Sequence, residues 1–196
     1  MNMSESKFNP RTMILLLIII FVSIIRVAAP FSGDFKVIAN FSAVGAIALF
    51  GGAYFNNNVK AFAFPLLILL LSDLFIAKTS GYGFFYGGWY WTYIAFILMV
   101  VIGKVMLNKV TVLTFIGSAV AAVLVHWIVS DISAMYIPGL YPPTFAGYIA
   151  CLIAAIPFEK SFLYGTVAYG AVMFGAFEML KAKYPYLSLT NSRIAA

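Results

Sequence analysis

Apolar residues in this chain fall into long runs separated by short polar, glycine or proline interruptions. Crossing a bilayer takes about 20 apolar residues in a helix. Runs of that order predict spanning helices at about 12–29, 37–55, 60–77, 89–107, 110–130 and 161–180. Pro30 stops the first, and the turn Asn56-Asn57-Asn58 stops the second. The third ends at Ser72-Asp73 and a glycine-aromatic loop, 81–88, that could fold over a site as a lid. A connection rich in Pro138, Gly139, Pro142 and Pro143 follows the fifth. The apolar run 144–156, broken by Pro157, is too short to span and predicts a re-entrant or interfacial helix.

The runs differ in kind. The first is Leu/Ile-rich from Ile14 to Ile25, which suits lipid contact. The stretch NFSAVGAIALFGGAYF, residues 40–55, has little side chain on most of its surface. Without water, helix association rests on close backbone approach, and small residues such as Ala48 and Gly52, four apart, permit it. This predicts the central helix of a bundle. Small faces recur in the fifth helix (Gly117, Ser118, Ala121, Ala122) and the sixth (Gly165, Gly170, Gly175). Trp89, Tyr90, Trp91 and Tyr93 read as an interfacial aromatic belt.

Composition agrees. The chain is 64% hydrophobic and only 9% charged over 196 residues, with a mean hydropathy of +1.02. Soluble domains are about 25% charged. The fold class expected is therefore all-α, a single polytopic membrane domain over 1–196, with the lipid bilayer as its first partner. The net charge of +6 does not indicate nucleic acid, because Lys and Arg cluster at helix ends. Six spans put Lys7, Arg11, Lys60, Lys104, Lys109, Lys181, Lys183 and Arg193 on one side, against Arg26, Lys36, Lys78 and Lys160 on the other. That asymmetry favours both termini in the cytoplasm. Residues 1–29 resemble a signal peptide, but Arg26 and Pro30 argue for an uncleaved first helix. Cys151 stands alone, so neither an internal disulfide nor a cysteine metal cluster is available.

Chemistry enters through the helix ends. Arg26, Asn40, Asp73, Trp89, Tyr93, His126, Trp127 and Asp131 all fall in one layer, the outer one, of an alternating bundle. The opposite layer holds Lys and little else apart from the asparagine turn and Glu178. Polar side chains in hydrocarbon are costly and usually face the bundle interior. Collected at one depth, they describe an outward-opening pocket for a small solute with a flat ring and a few polar groups. Arg26 snorkels, pairs with Asp34, or meets the solute; Asp73 serves an ion pair or the solute. Signatures of metalloprotease, hydrolase, dinucleotide and P-loop chemistry are absent, so neither an enzyme nor a cofactor is expected.

Residues 40–53, LSDL at 71–74, YPPTFAG at 141–147 and AAIPF at 154–158 resemble an uncharacterised bacterial membrane protein family similar to the substrate-binding S components of energy-coupling-factor (ECF) transporters. The resemblance covers about 26–178. It implies a six-helix transport subunit of the bacterial inner membrane that captures a vitamin-like solute from outside and docks on a transmembrane scaffold subunit and ATPases. Tyr141 and Thr144 join the candidate solute contacts through it. S components often dock through an Ala-rich first helix; here that helix is Leu/Ile-rich. The alternative reading, from a different class, is a non-catalytic structural or assembly subunit of a larger inner-membrane complex.

Overall fold

The computed structural model describes residues 10–28, 42–80 and 87–188. Among them every regular element is helical: α1 (Pro10–Ala28), α2 (Val44–Tyr54), α3 (Asn58–Ser80), α4 (Trp89–Met106), α5 (Val112–Ser130), a 3-10 helix (Asp131–Tyr136), α6 (Phe145–Lys183) and a short 3-10 helix (Pro185–Leu187). Four of these segments are long and apolar enough to cross a membrane: α3, α4, α5 with its 3-10 extension, and α6. α1 and α2 are shorter apolar helices over their described lengths.

α2 is the hub. It touches all five other α-helices, and ten of its eleven residues are buried. The reason is its small side chains. A Cβ on Gly52 would lie 2.2 Å from the Val100 carbonyl oxygen, and one on Gly103 would lie 2.5 Å from that of Leu49. The backbones of α2 and α4 therefore meet directly, as small residues allow within a bilayer. Phe50 and Tyr54 then pack edge-on against Phe177 of α6, and Phe174 lies 5.3 Å from each, ring to ring. Such pairs contribute about 0.5–1.5 kcal/mol each beyond their burial.

Two boundaries differ from expectation. α2 starts at Val44, not near residue 37; residues 29–41 lie outside the described ones, but Ser42 and Ala43 are not helical. Ser42 Oγ accepts weakly from Val44 N–H at 3.4 Å, a local bond that competes with a further helical turn. At eleven residues α2 is about 16 Å long and cannot cross alone.

The second correction is larger. The expected short helix at 144–156 and the separate helix at 161–180 are one continuous helix, α6, of 39 residues with Pro157 inside it. Proline removes one N–H and crowds the preceding turn. In an apolar surrounding, breaking the helix would strand several backbone groups rather than one, so the helix persists. The small faces also sort themselves. Ser118, Ala119 and Ala122 are buried with Phe115 and Val123, and Gly165 and Gly170 are buried, whereas Gly117 and Gly175 face outward with open space around them.

Candidate functional site

α5 opens with a capping box in which Thr111 Oγ1 accepts from Thr114 N–H at 3.1 Å and Thr114 Oγ1 accepts from Thr111 N–H at 2.9 Å. Its buried positions Phe115, Ala119 and Ala122 repeat at helical spacing, and the same face carries His126. On α6 the buried positions Cys151, Phe162 and Thr166 define a face that also includes Glu159. Where these faces meet, His126 Nδ1 lies 3.1 Å from Glu159 Oε1 and 3.4 Å from Oε2. Their side chains are 15% and 11% exposed. The imidazole packs against Phe162 at 4.6 Å and, across on α4, Phe96 at 5.3 Å, centroid to centroid.

This pair is not at a helix end. The 3-10 turn carries the α5 column on to Tyr136, so His126 falls well inside the apolar stretch Val112–Tyr136. It stands about 21 Å along the helix from Val112, and Asp73 stands about 22 Å from Asn58 on α3. Tyr93, one turn before Phe96 on α4, donates its hydroxyl hydrogen to Asp73 Oδ2 at 3.1 Å. Asp73–Tyr93, Phe96 and His126–Glu159 thus form one polar-aromatic layer running through α3, α4, α5 and α6. Trp89 joins it edge-on to Tyr93 at 5.4 Å.

Above the layer, side chains bond main-chain carbonyls between α5 and α6. Trp127 Nε1 donates to Leu152 O at 3.0 Å, the Tyr148 hydroxyl donates to Ile128 O, and the Cys151 thiol approaches Asp131 O at 3.9 Å. Asp131 is the C-cap of α5 and the first residue of the 3-10 helix. Its Oδ2 is buried with no hydrogen-bond partner. No three His, Cys, Asp or Glu side chains among the described residues are arranged to hold a metal ion.

The other sequence-predicted residues fall elsewhere. Arg26 sits in the last turn of α1, and its side chain lies outside the described residues, as do Asn40, Asp34 and the loop residues 81–86. Trp127 has its indole N–H committed to α6. Thr144 is the N-cap of α6, accepting from Gly147 N–H at 3.2 Å, and Tyr141 precedes it in the connection. Both stand at the start of α6, about 21 Å along the helix from Glu159. Thr144→Ala should therefore cost about 1 kcal/mol of stability, the worth of a cap. It should leave solute binding unchanged, and a thermal melt run beside a binding assay would separate the two.

Sequence reasoning missed Glu159, which the supposed break at Pro157 had placed in a loop. The helical spacing of Cys151, Glu159, Phe162 and Thr166 was the available signal. It also underrated the opposite end of the bundle. There Arg11 donates to Leu187 O and, at 2.9 Å, to Tyr54 O, with Phe177 5.2 Å from its guanidinium carbon. Tyr54 donates to Glu178 Oε1 at 2.6 Å, and Lys181 Nζ lies 2.5 Å from Glu178 Oε2. Glu178, the exception expected at that end, is there joined by Arg11 and Tyr54 in one cluster. The cluster ties α1, α2 and α6 together, and each of its charged side chains is partnered.

No curated protein and no solved structure matches the chain. A family model does, over residues 6–187, and the chain therefore belongs to DUF6580, a family of unknown function.

Proposed function

We propose that this protein binds and moves a small organic solute across a membrane, at the layer formed by Asp73–Tyr93 and His126–Glu159. The observation that carries the reading is the His126–Glu159 pair, two ionisable side chains that are partly buried within apolar candidate spans. Ionisable groups at such depth are costly and mark solute or ion pathways by default. Aromatic faces from Trp89, Tyr93, Phe96 and Phe162 border the polar groups, the mixture that receives a flat, partly polar molecule. The Lys/Arg asymmetry supports an orientation with both termini in the cytoplasm of a bacterial inner membrane and solute entry from outside. The likeness to ECF S components extends the reading to a scaffold subunit and ATPases as partners.

Native mass spectrometry of the full chain released from mild detergent tests this. The wild type should retain a small co-purified molecule, and Glu159→Gln and Asp73→Asn should each lower its occupancy about tenfold or more. That is the scale of losing one charged hydrogen bond, about 1.5–3 kcal/mol. A wild type that carries nothing, with solute uptake indifferent to both substitutions, would end the proposal.

One observation favours the second reading, a structural or assembly subunit. Gly117 on α5 and Gly175 on α6 face outward with nothing within 4 Å of a built Cβ, so another helix can approach closely there. Stoichiometric recovery with a respiratory or secretion complex in mild detergent would support it, whereas recovery with ATPases would support transport.

A further inference from the structure

α5 and α6 each open on a threonine whose side chain caps the first turn. α2 opens on Ala43, with no side-chain cap. The bond from Ile47 N–H to the Ala43 carbonyl, 3.0 Å, closes its first turn, so the N–H groups of Gly45 and Ala46 lie ahead of the ladder. Ala43, Val44, Gly45 and Ala46 are all buried, whereas Ser42 is partly exposed. The other end of α2, Tyr54, stands with Arg11 and Glu178. Eleven residues rise about 16 Å against a hydrocarbon core of about 30 Å, so α2 ends near mid-membrane.

A second observation points to a ligand there. Thr166 of α6 is fully buried, and its Oγ1 has no hydrogen-bond partner. A helical threonine commonly bonds a carbonyl one turn back. This hydroxyl instead faces the first turn of α2. A Cβ built on Gly45 would lie 2.3 Å from Thr166 Oγ1, 2.9 Å from Phe162 Cζ and 3.2 Å from Met99 Cε. All three are side-chain ends, whereas the atoms closing on Gly52 are backbone. The inner half of α2 is therefore locked, while its N-terminus opens by rotation of Met99 and Phe162. Phe162 also packs against His126, so this N-terminus borders the polar-aromatic layer.

We propose that the N-terminus of α2, with the Thr166 hydroxyl, holds the carboxylate of the solute, whose ring lies toward Phe162 and Phe96. A helix N-terminus carries about half a positive charge, and interrupted membrane helices aim such ends at anionic groups of a solute. The carboxylate accepts from Gly45 N–H, Ala46 N–H and Thr166 O–H, three donors for an acceptor-only group. No Lys or Arg is among the atoms nearest the built Cβ of Gly45, so a singly charged carboxylate matches the site better than a dianionic phosphate. The inference deepens the transport reading and rests on it for a solute, but the carboxylate site can be tested alone.

Equilibrium binding of radiolabelled benzoate to the full chain in nanodiscs is the test, with empty nanodiscs as background. Benzamide offers the same ring and shape without the charge. Benzoate should bind saturably, and benzamide should compete at least about tenfold less well, the scale of one charged hydrogen bond. Thr166→Val keeps the side-chain shape and removes the hydroxyl. It should weaken benzoate about tenfold, and Thr166→Ser should recover most of that loss. Benzoate that does not saturate, benzamide that competes equally, or an affinity indifferent to Thr166→Val would each overturn the site. If Thr166→Val does not fold, the preference of the wild type for benzoate over benzamide decides. Thr166-dependent benzoate binding in a protein that carries no co-purified solute would keep the site and remove the transport reading. A co-purified solute without an acidic group would keep the transport reading and overturn the proposal.

Discussion

Gly52→Leu is expected to yield no folded protein. The Cβ alone would stand 2.2 Å from Val100 O, 2.9 Å from Lys104 N and 3.1 Å from Gly103 Cα. All three are backbone atoms, so no side chain can rotate away. α4 must move bodily, and Gly103 against Leu49 is the matching contact that moves with it. Overpacking a core ordinarily costs about 1–3 kcal/mol and more where backbone must shift. Here the displaced helix is the one against which α2 packs most extensively, and α2 in turn touches every other α-helix. The loss should exceed about 3 kcal/mol and show as aggregation on fluorescence-detected size exclusion. Gly117→Ala is the control. Nothing lies within 4 Å of its built Cβ, and alanine favours a helix by up to about 1 kcal/mol. If Gly52→Leu and Gly117→Ala elute alike, the backbone contact between α2 and α4 does not hold the bundle.

How much of this was legible in the sequence follows from the range of the interactions. Apolar runs and their glycine content are local properties, so the helices, and the central place of the Gly/Ala stretch 40–55, could be read directly. Helix ends were harder. Pro157 carries a breaking signal taken from helices in water, and an apolar surrounding reverses the balance by penalising every freed backbone group. That one misreading put Glu159 in a loop and hid the partner of His126. Likewise, the 3-10 turn after Ser130 adds length that apolar run-lengths do not show, which moved His126 from the end of its column to well within it. Asp73, Tyr93 and His126 still share a depth, because that depends on helical rise from the opposite ends, while Arg26 and Asn40 lie outside the described side chains. The site's pairings were not legible, because Asp73 with Tyr93 and His126 with Glu159 depend on rotation about each helix axis.

Arg11→Met should destabilise the protein by about 3 kcal/mol, the scale of removing one partner from a buried charged cluster. Arg11 is 7% exposed and bonds the carbonyl of Leu187, a residue 176 positions away. Its second bond is to Tyr54 O, at the last residue of α2, where the helix leaves a carbonyl with no donor of its own. The guanidinium so caps α2 from α1, and a cation at a helix C-terminus also meets the negative end of the helix dipole. Methionine fills similar volume but strands both carbonyls. Glu178 keeps Tyr54 and Lys181, so the loss comes from the carbonyls and the ring contact with Phe177. Arg11→Lys keeps the charge without the planar fork and should recover less than half of the loss. Lys109→Met, at an exposed position near the same end, should stay within about 0.5 kcal/mol. Denaturation in bicelles would rank the three. An Arg11→Met protein as stable as Lys109→Met would mean that α1 is held to the bundle by its apolar face, through Leu15, Ile19 and Val22, and not by its first turn.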